Sequence, residues 1–140
     1  MKGDGQLVLL DNEAVQALAD PAHPKHRRVL SHAQVVAQRK RRAAPIRLAI
    51  PTTVRVEAGW DRSAAGWAFV NRLQVADVPL DTEHANTAAD IRSRARVSVV
   101  DAHLGAVINA TTADRVTVIT SDPADMKVLA GATAITVVAI

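Results

Sequence analysis

Five short β-favourable runs, Gln6–Leu10, Arg47–Ile50, Val75–Leu80, Val116–Thr120 and Ala134–Ile140, alternate with longer stretches of helical character. That alternation constrains the fold more than any other feature of the chain. Strands joined through helices must cross over, and such crossovers give parallel pairing, right-handed connections and helices on both faces of the sheet. The expected fold class is therefore α/β, a three-layer α/β/α domain with a mostly parallel five-stranded sheet. With 140 residues, 49% of them hydrophobic, the chain carries enough apolar material for one core and reads as a single domain over 1–140.

The intervening stretches carry their own punctuation. Asp11 or Asn12 caps a short helix through Leu18, which the breaker Asp20-Pro21-Ala22-His23-Pro24 ends. His26–Arg41 places Val29, Leu30, Ala33, Val36 and Ala37 on one stripe, with basic residues outside it. Thr52 or Thr53 is expected to cap a helix carrying Glu57 and Trp60, and Ala64–Leu73 to form another. Asp81 caps Thr82–Ala95 with Glu83 in its first turn, and Ser98 caps Val99–Ala113. Asp122 sits at an N-cap with Pro123 at the first helical position, and Gly131 closes that helix.

Several function classes drop out on composition. Cysteine is absent, which removes disulfides and thiolate metal sites and fits a reducing cytoplasm. The first apolar run, Leu7-Val8-Leu9-Leu10, is too short for a signal segment or a membrane span, so a soluble cytoplasmic domain is expected. Tyrosine is absent and Phe occurs once, which argues against an aromatic platform for stacking RNA bases. The net charge of +3 is unevenly placed: Lys25, Arg27, Arg28, Arg39, Lys40, Arg41, Arg42 and Arg47 fall in one segment without an acid. Such a segment is either a solvated helix face or a contact for a polyanion, with Arg39, Lys40, Arg41 and Arg42 as candidate RNA-phosphate contacts.

The acids carry the chemistry. Ligands of open parallel sheets collect at the carboxyl ends of the strands. Asp11 directly follows the first run, and Asp122 lies two residues beyond Val116–Thr120. Glu57 stands in the helix after Arg47–Ile50, and Asp101 in the first turn of the helix that Ser98 opens. Asp11 and Asp122 taken singly are ordinary caps. Asp101, within Val99-Val100-Asp101-Ala102, and Glu57, after Val54-Arg55-Val56, lie among apolar residues, where a carboxylate is costly unless paired or bound to a cation. Two like charges about 4 Å apart repel by about 4 kcal/mol at an effective dielectric of about 20. A divalent ion relieves that repulsion, and hard oxygen donors suit Mg2+ or Mn2+, whose chemistry favours phosphodiester hydrolysis.

Leu7-Val8-Leu9-Leu10-Asp11, Glu57 in a helix after a short strand, Asp101-Ala102-His103 opening a helix, and Val118-Ile119-Thr120-Ser121-Asp122 together resemble the PIN domain. In detail the pattern is similar to VapC toxins of bacterial toxin–antitoxin pairs, and it runs from about Gln6 to Val138. The resemblance implies a Mg2+- or Mn2+-dependent ribonuclease that a VapB-type antitoxin inhibits, and a homodimer. It assigns Asp11, Glu57, Asp101 and Asp122 as catalytic metal-binding acids, with Asn12, Thr120, Ser121 and Asp125 in support. Asn12 stands where small hydroxyl residues or Gly are frequent and can still order a metal-bound water.

Other residues read as structural. His23 and His26 flank Pro24 without a third ligand and suggest a surface turn rather than a zinc site. His103, two positions from Asp101, points elsewhere on its helix and suits packing or hydrogen bonding. Trp60 and Trp67 suit core or dimer packing. Two alternatives compete with the nuclease. One is a PIN fold that only binds a partner, with weak or no hydrolysis. The other is a receiver-type phosphoacceptor domain, but that needs adjacent acids after the first strand and a lysine at the end of a late one. Here Asp11 and Glu13 are separated, Asp81 is a cap and Lys127 lies inside a helix. A haloacid-dehalogenase-type phosphatase would need Asp where Glu13 stands.

Overall fold

Alternate residues of the first strand face opposite ways, yet Leu7, Val8, Leu9 and Leu10 are all buried. A strand buried on both faces belongs in the middle of a sheet with helices on either side. The computed structural model describes residues 5–39 and 45–140, with the backbone alone for 37–39. In chain order the elements are β1 (Gln6–Leu10), α1 (Asn12–Ala19), α2 (His26–Arg39), β2 (Ile46–Pro51), α3 (Thr52–Ala58), and a 3-10 turn at Ala65–Trp67. There follow α4 (Ala68–Asn71), β3 (Ala76–Val78), α5 (Thr82–Ala95), α6 (Val99–Ala110), β4 (Arg115–Thr120), α7 (Pro123–Ala130) and β5 (Thr136–Ala139).

The sheet is parallel throughout, in the order β3-β2-β1-β4-β5. This is the expected α/β/α arrangement. Val8, Leu10, Leu48 and Ile50 pack with α1, α2 and α3 residues such as Leu18, Val29 and Val54 on one face. Leu7, Leu9, Val116 and Val118 pack with Ile91, Leu104, Ile108 and Leu129 on the other. Gly105 lets α6 lie close to its neighbours: a Cβ there would stand 3.0 Å from Ile91 Cδ1 and 3.4 Å from the Leu129 carbonyl. Among the described residues no helix is long and apolar enough to cross a membrane.

Several local expectations are corrected. Neither Thr52 nor Thr53 caps α3; β2 runs through Pro51 straight into the helix, Pro51 takes the N-cap position, and no side chain caps it. Ala64–Leu73 is not one helix: Trp67 leaves helical geometry at ψ 7°, and its ring stacks on Trp60 at 5.7 Å, dividing a 3-10 turn from the four-residue α4. The helix from Val99 stops at Ala110 because Thr111 turns extended. The third strand shortens to Ala76–Val78 at the sheet edge. Asp81 and Ser98 cap as expected, accepting from the His84 and Asp101 amides. Lys40, Arg41 and Arg42 lie outside the described residues, and Arg39 is placed only as the last residue of α2.

Candidate active site

The strand order sets where a ligand belongs. From β1 the chain moves outward to β2 and β3, then returns across β1 to β4 and β5 on the other side. The carboxyl ends of β1 and β4 are therefore adjacent at a topological switch point, with a crevice between the diverging connections. Register pairs Leu10 with Ile119, so Asp11 and Thr120 leave the sheet side by side.

Asp11 is buried and fully engaged. Its Oδ1 accepts from the Ala14 amide at 2.8 Å, capping α1. Its Oδ2 accepts from Thr120 Oγ1 at 2.6 Å and from the Ser121 amide at 3.1 Å. Thr120 Oγ1 in turn accepts from the Asp122 amide at 2.9 Å. Burial pushes the Asp11 carboxyl above its ordinary value, the three donors pull it back, and the charge of Asp122 adds to the rise.

A cleft of about 220 Å³ opens beside this carboxylate. Asp11, Asn12, Glu13, Glu57, Asp101, Ser121, Asp122 and Asp125 line it, over a floor that includes Val54, Val100, Leu104 and Met126. All four expected acids are thus brought to one cleft, from β1, α3, α6 and the start of α7. Asp101 is half-buried; burial chiefly, then the charges of Asp125, Asp122 and Asp11, raise its carboxyl, while Ser98 opposes the rise. Asp122 occupies the N-cap position of α7 without making a capping bond, so its carboxylate is not spent on the helix.

The supporting residues divide. Thr120 acts through its hydroxyl and Ser121 through its backbone amide. Asn12 lines the cleft with its Oδ1 3.5 Å from Gln16 Nε2. Asp125 faces the same cleft from the first turn of α7. Glu13 is an acid of the cleft that sequence reasoning passed over as a ligand, although its place two residues after Asp11 was the available signal. It is held at the rim by His23 Nε2 at 3.0 Å and Lys25 Nζ at 3.8 Å. His23 is therefore engaged by Glu13, and His26 Nδ1 lies 2.8 Å from the Ala17 carbonyl.

The donor set is all oxygen and carries more negative charge than its neighbours balance. Among the described residues, no group of three or more His, Asp or Glu side chains stands close enough together to hold a metal ion. Mg2+ is commonly held by one or two carboxylates and several waters, so an open acidic cleft fits it in donor chemistry and room.

No protein-family model and no curated protein matches the sequence. Among solved structures, the chain is similar to one in VapBC2 from Rickettsia felis bound to a DNA fragment from its promoter. That likeness has a TM-score of 0.62 at 9% identity and covers 94% of this chain and 98% of the other. It is also similar to a chain in FitAcB from Neisseria gonorrhoeae, with a TM-score of 0.56 at 15% identity over 93% and 95% of the two chains. At these identities the likeness is one of fold, and the fold is the PIN-like α/β/α architecture.

Proposed function

We propose that this chain is a Mg2+- or Mn2+-dependent endoribonuclease that hydrolyses RNA phosphodiester bonds as the toxin of a VapBC-type pair. The observation that carries the reading is the gathering of Asp11, Glu57, Asp101 and Asp122 in one cleft at the switch point of the sheet. The structural likeness to toxin–antitoxin proteins supports it. A VapB-type antitoxin as partner, a homodimer and a cytoplasmic setting belong to the same reading.

One or two of Asp11, Glu57, Asp101 and Asp122, together with waters, would hold the ion. When bound, a divalent ion supplies polarisation of the phosphodiester and of an attacking water. The chain itself contributes position. Thr120 and the Ser121 amide keep Asp11 from turning, and the cap on α1 fixes its other oxygen. Lys25, Arg27, Arg28 and the run Arg39, Lys40, Arg41 and Arg42 serve to attract the RNA backbone.

A second reading, a PIN fold that binds a partner with little hydrolysis, draws on the open spacing of the acids. The receiver alternative is set aside: receiver domains follow the order 2-1-3-4-5, whereas β1 here lies between β2 and β4. The deciding experiment is cleavage of a mixed RNA pool with Mn2+ or Mg2+, beside Asp101→Asn and an EDTA control. Cutting that vanishes in both controls supports the nuclease. Equal cutting by Asp101→Asn removes this cleft from the mechanism. Absence of Mn2+ binding favours the partner-binding fold.

A further inference from the structure

His103 is completely buried, and among the described residues its Nε2 is the one buried side-chain polar atom without a hydrogen-bond partner. A buried polar atom without a partner is destabilising, and a leucine would fill the same space without that cost. The ring is held instead on its other side, where Nδ1 lies 2.8 Å from Thr53 Oγ1. Its edge meets the His84 ring at 6.1 Å, and His84 Nδ1 contacts Asp81 at 2.7 Å. One polar tie of this imidazole thus runs from α6 to α3, and the Pro79 carbonyl is a further polar neighbour of the ring.

Those two helices carry acids of the cleft. Thr53 and Glu57 are one turn apart on α3, and neighbours at that spacing share a face. Asp101 and His103 are two apart on α6 and point in different directions, so the cleft and the tie occupy different sides of one helix. α3 is only seven residues long, has no side-chain cap, and ends at Gly59 in left-handed geometry. Little within α3 itself fixes where Glu57 stands.

We infer that the Thr53–His103 hydrogen bond is a positioning brace that sets α3 against α6 and thereby the place of Glu57 relative to Asp101. Neither residue lines the acidic cleft. The inference rests on the reading of Glu57 and Asp101 as ligands of a divalent ion. It assigns to His103 a use that accounts for keeping an imidazole in an apolar interior.

The test is Mn2+ affinity of the full chain, measured by electron paramagnetic resonance without RNA, together with thermal unfolding. Supporting groups that act through a ligand change metal affinity by roughly 10- to 100-fold. Thr53→Val is expected to weaken Mn2+ binding roughly tenfold, at the low end of that range. Thr53→Ser, which keeps the hydroxyl, restores it to within about twofold, a split that packing alone would not produce. His103→Leu should match Thr53→Val, and the double variant should be no worse than either, because one interaction is removed once. If Thr53→Val does not fold, His103→Leu carries the same test. Wild-type affinity in these variants, or additive losses, overturns the brace while leaving the metal site standing. Absence of Mn2+ binding by the unaltered protein overturns both.

Discussion

Thr120 Oγ1 stands 2.6 Å from Asp11 Oδ2, joining two residues 109 positions apart in the chain. The same hydroxyl accepts from the Asp122 amide, so one threonine links the carboxylate ending β1 to the backbone that opens α7. Replacing Thr120 with Val keeps the shape and removes both bonds. Urea unfolding should show a loss of about 1.5–3 kcal/mol, the range for a hydrogen bond to a charged group. Mn2+ affinity should fall roughly tenfold, and Thr120→Ser should recover most of both.

Asp101 separates stability from activity. Its carboxyl is raised above the ordinary 3.8 by burial and by neighbouring acids, so the metal-free folded state resists its ionisation. A raised carboxyl means the folded protein holds more protons than the unfolded chain above pH 3.8, and stability falls as pH rises through that interval. Asp101→Asn removes the penalty. In metal-free buffer the variant should equal or exceed the wild type, and its advantage should grow as pH rises from about 4 through the raised folded-state value and then level off. RNA cleavage should be lost. A gap in urea midpoint that shrinks toward neutral pH contradicts this account of the site.

The basic run is tested by salt. Each phosphate contact to a single strand contributes a slope of about −0.7 in log affinity against log salt. Changing Arg39, Lys40, Arg41 and Arg42 to Gln should lower RNA affinity and flatten that slope, without altering Mn2+ affinity. An unchanged slope leaves these four side chains as solvated surface.

Trp60 is a stability residue away from the acids. It is buried, stacks on Trp67 with the planes 16° apart, donates from Nε1 to Asn71 Oδ1 at 2.9 Å, and lies 4.4 Å beneath Arg62. Arg62 and Arg55 both pair with Asp77 of β3, so this cluster fastens the edge strand. Trp60→Ala should cost about 3–5 kcal/mol. Trp60→Phe should cost less and leave Mn2+ affinity intact, as calorimetry would show.

What was legible in the sequence was local. Strand and helix periodicity, the Asp81 and Ser98 caps and the placement of acids after strands each depend on a few neighbouring residues. Asp11 and Asp122 illustrate the reach of that reasoning, since the order of the strands follows the crossovers and carries both to one edge. The rest depended on contacts that no short window contains. Thr53 has the chemistry of a cap, yet its hydroxyl turns to a histidine fifty positions away. Trp60 and Trp67 have helical spacing, yet α3 ends at Gly59 and the two rings stack across a break in the chain's helical geometry. Asp122 sits where a cap should be and leaves the capping bond unmade.

The pairing of Gln6–Leu10 with Arg115–Thr120 also governs when the cleft comes into being. During synthesis β1 and β2 can pair early, but the inner edge of β1 waits for a strand more than a hundred residues downstream. Asp11 has no Thr120 hydroxyl or Ser121 amide to hold it until then. Long-range parallel pairing is also slow to form. A ribosome-bound chain ending before β4 has most of its helices and none of its assembled acidic site. On the proposed nuclease reading, the cleft could act only after β4 and the turn into α7 have been added.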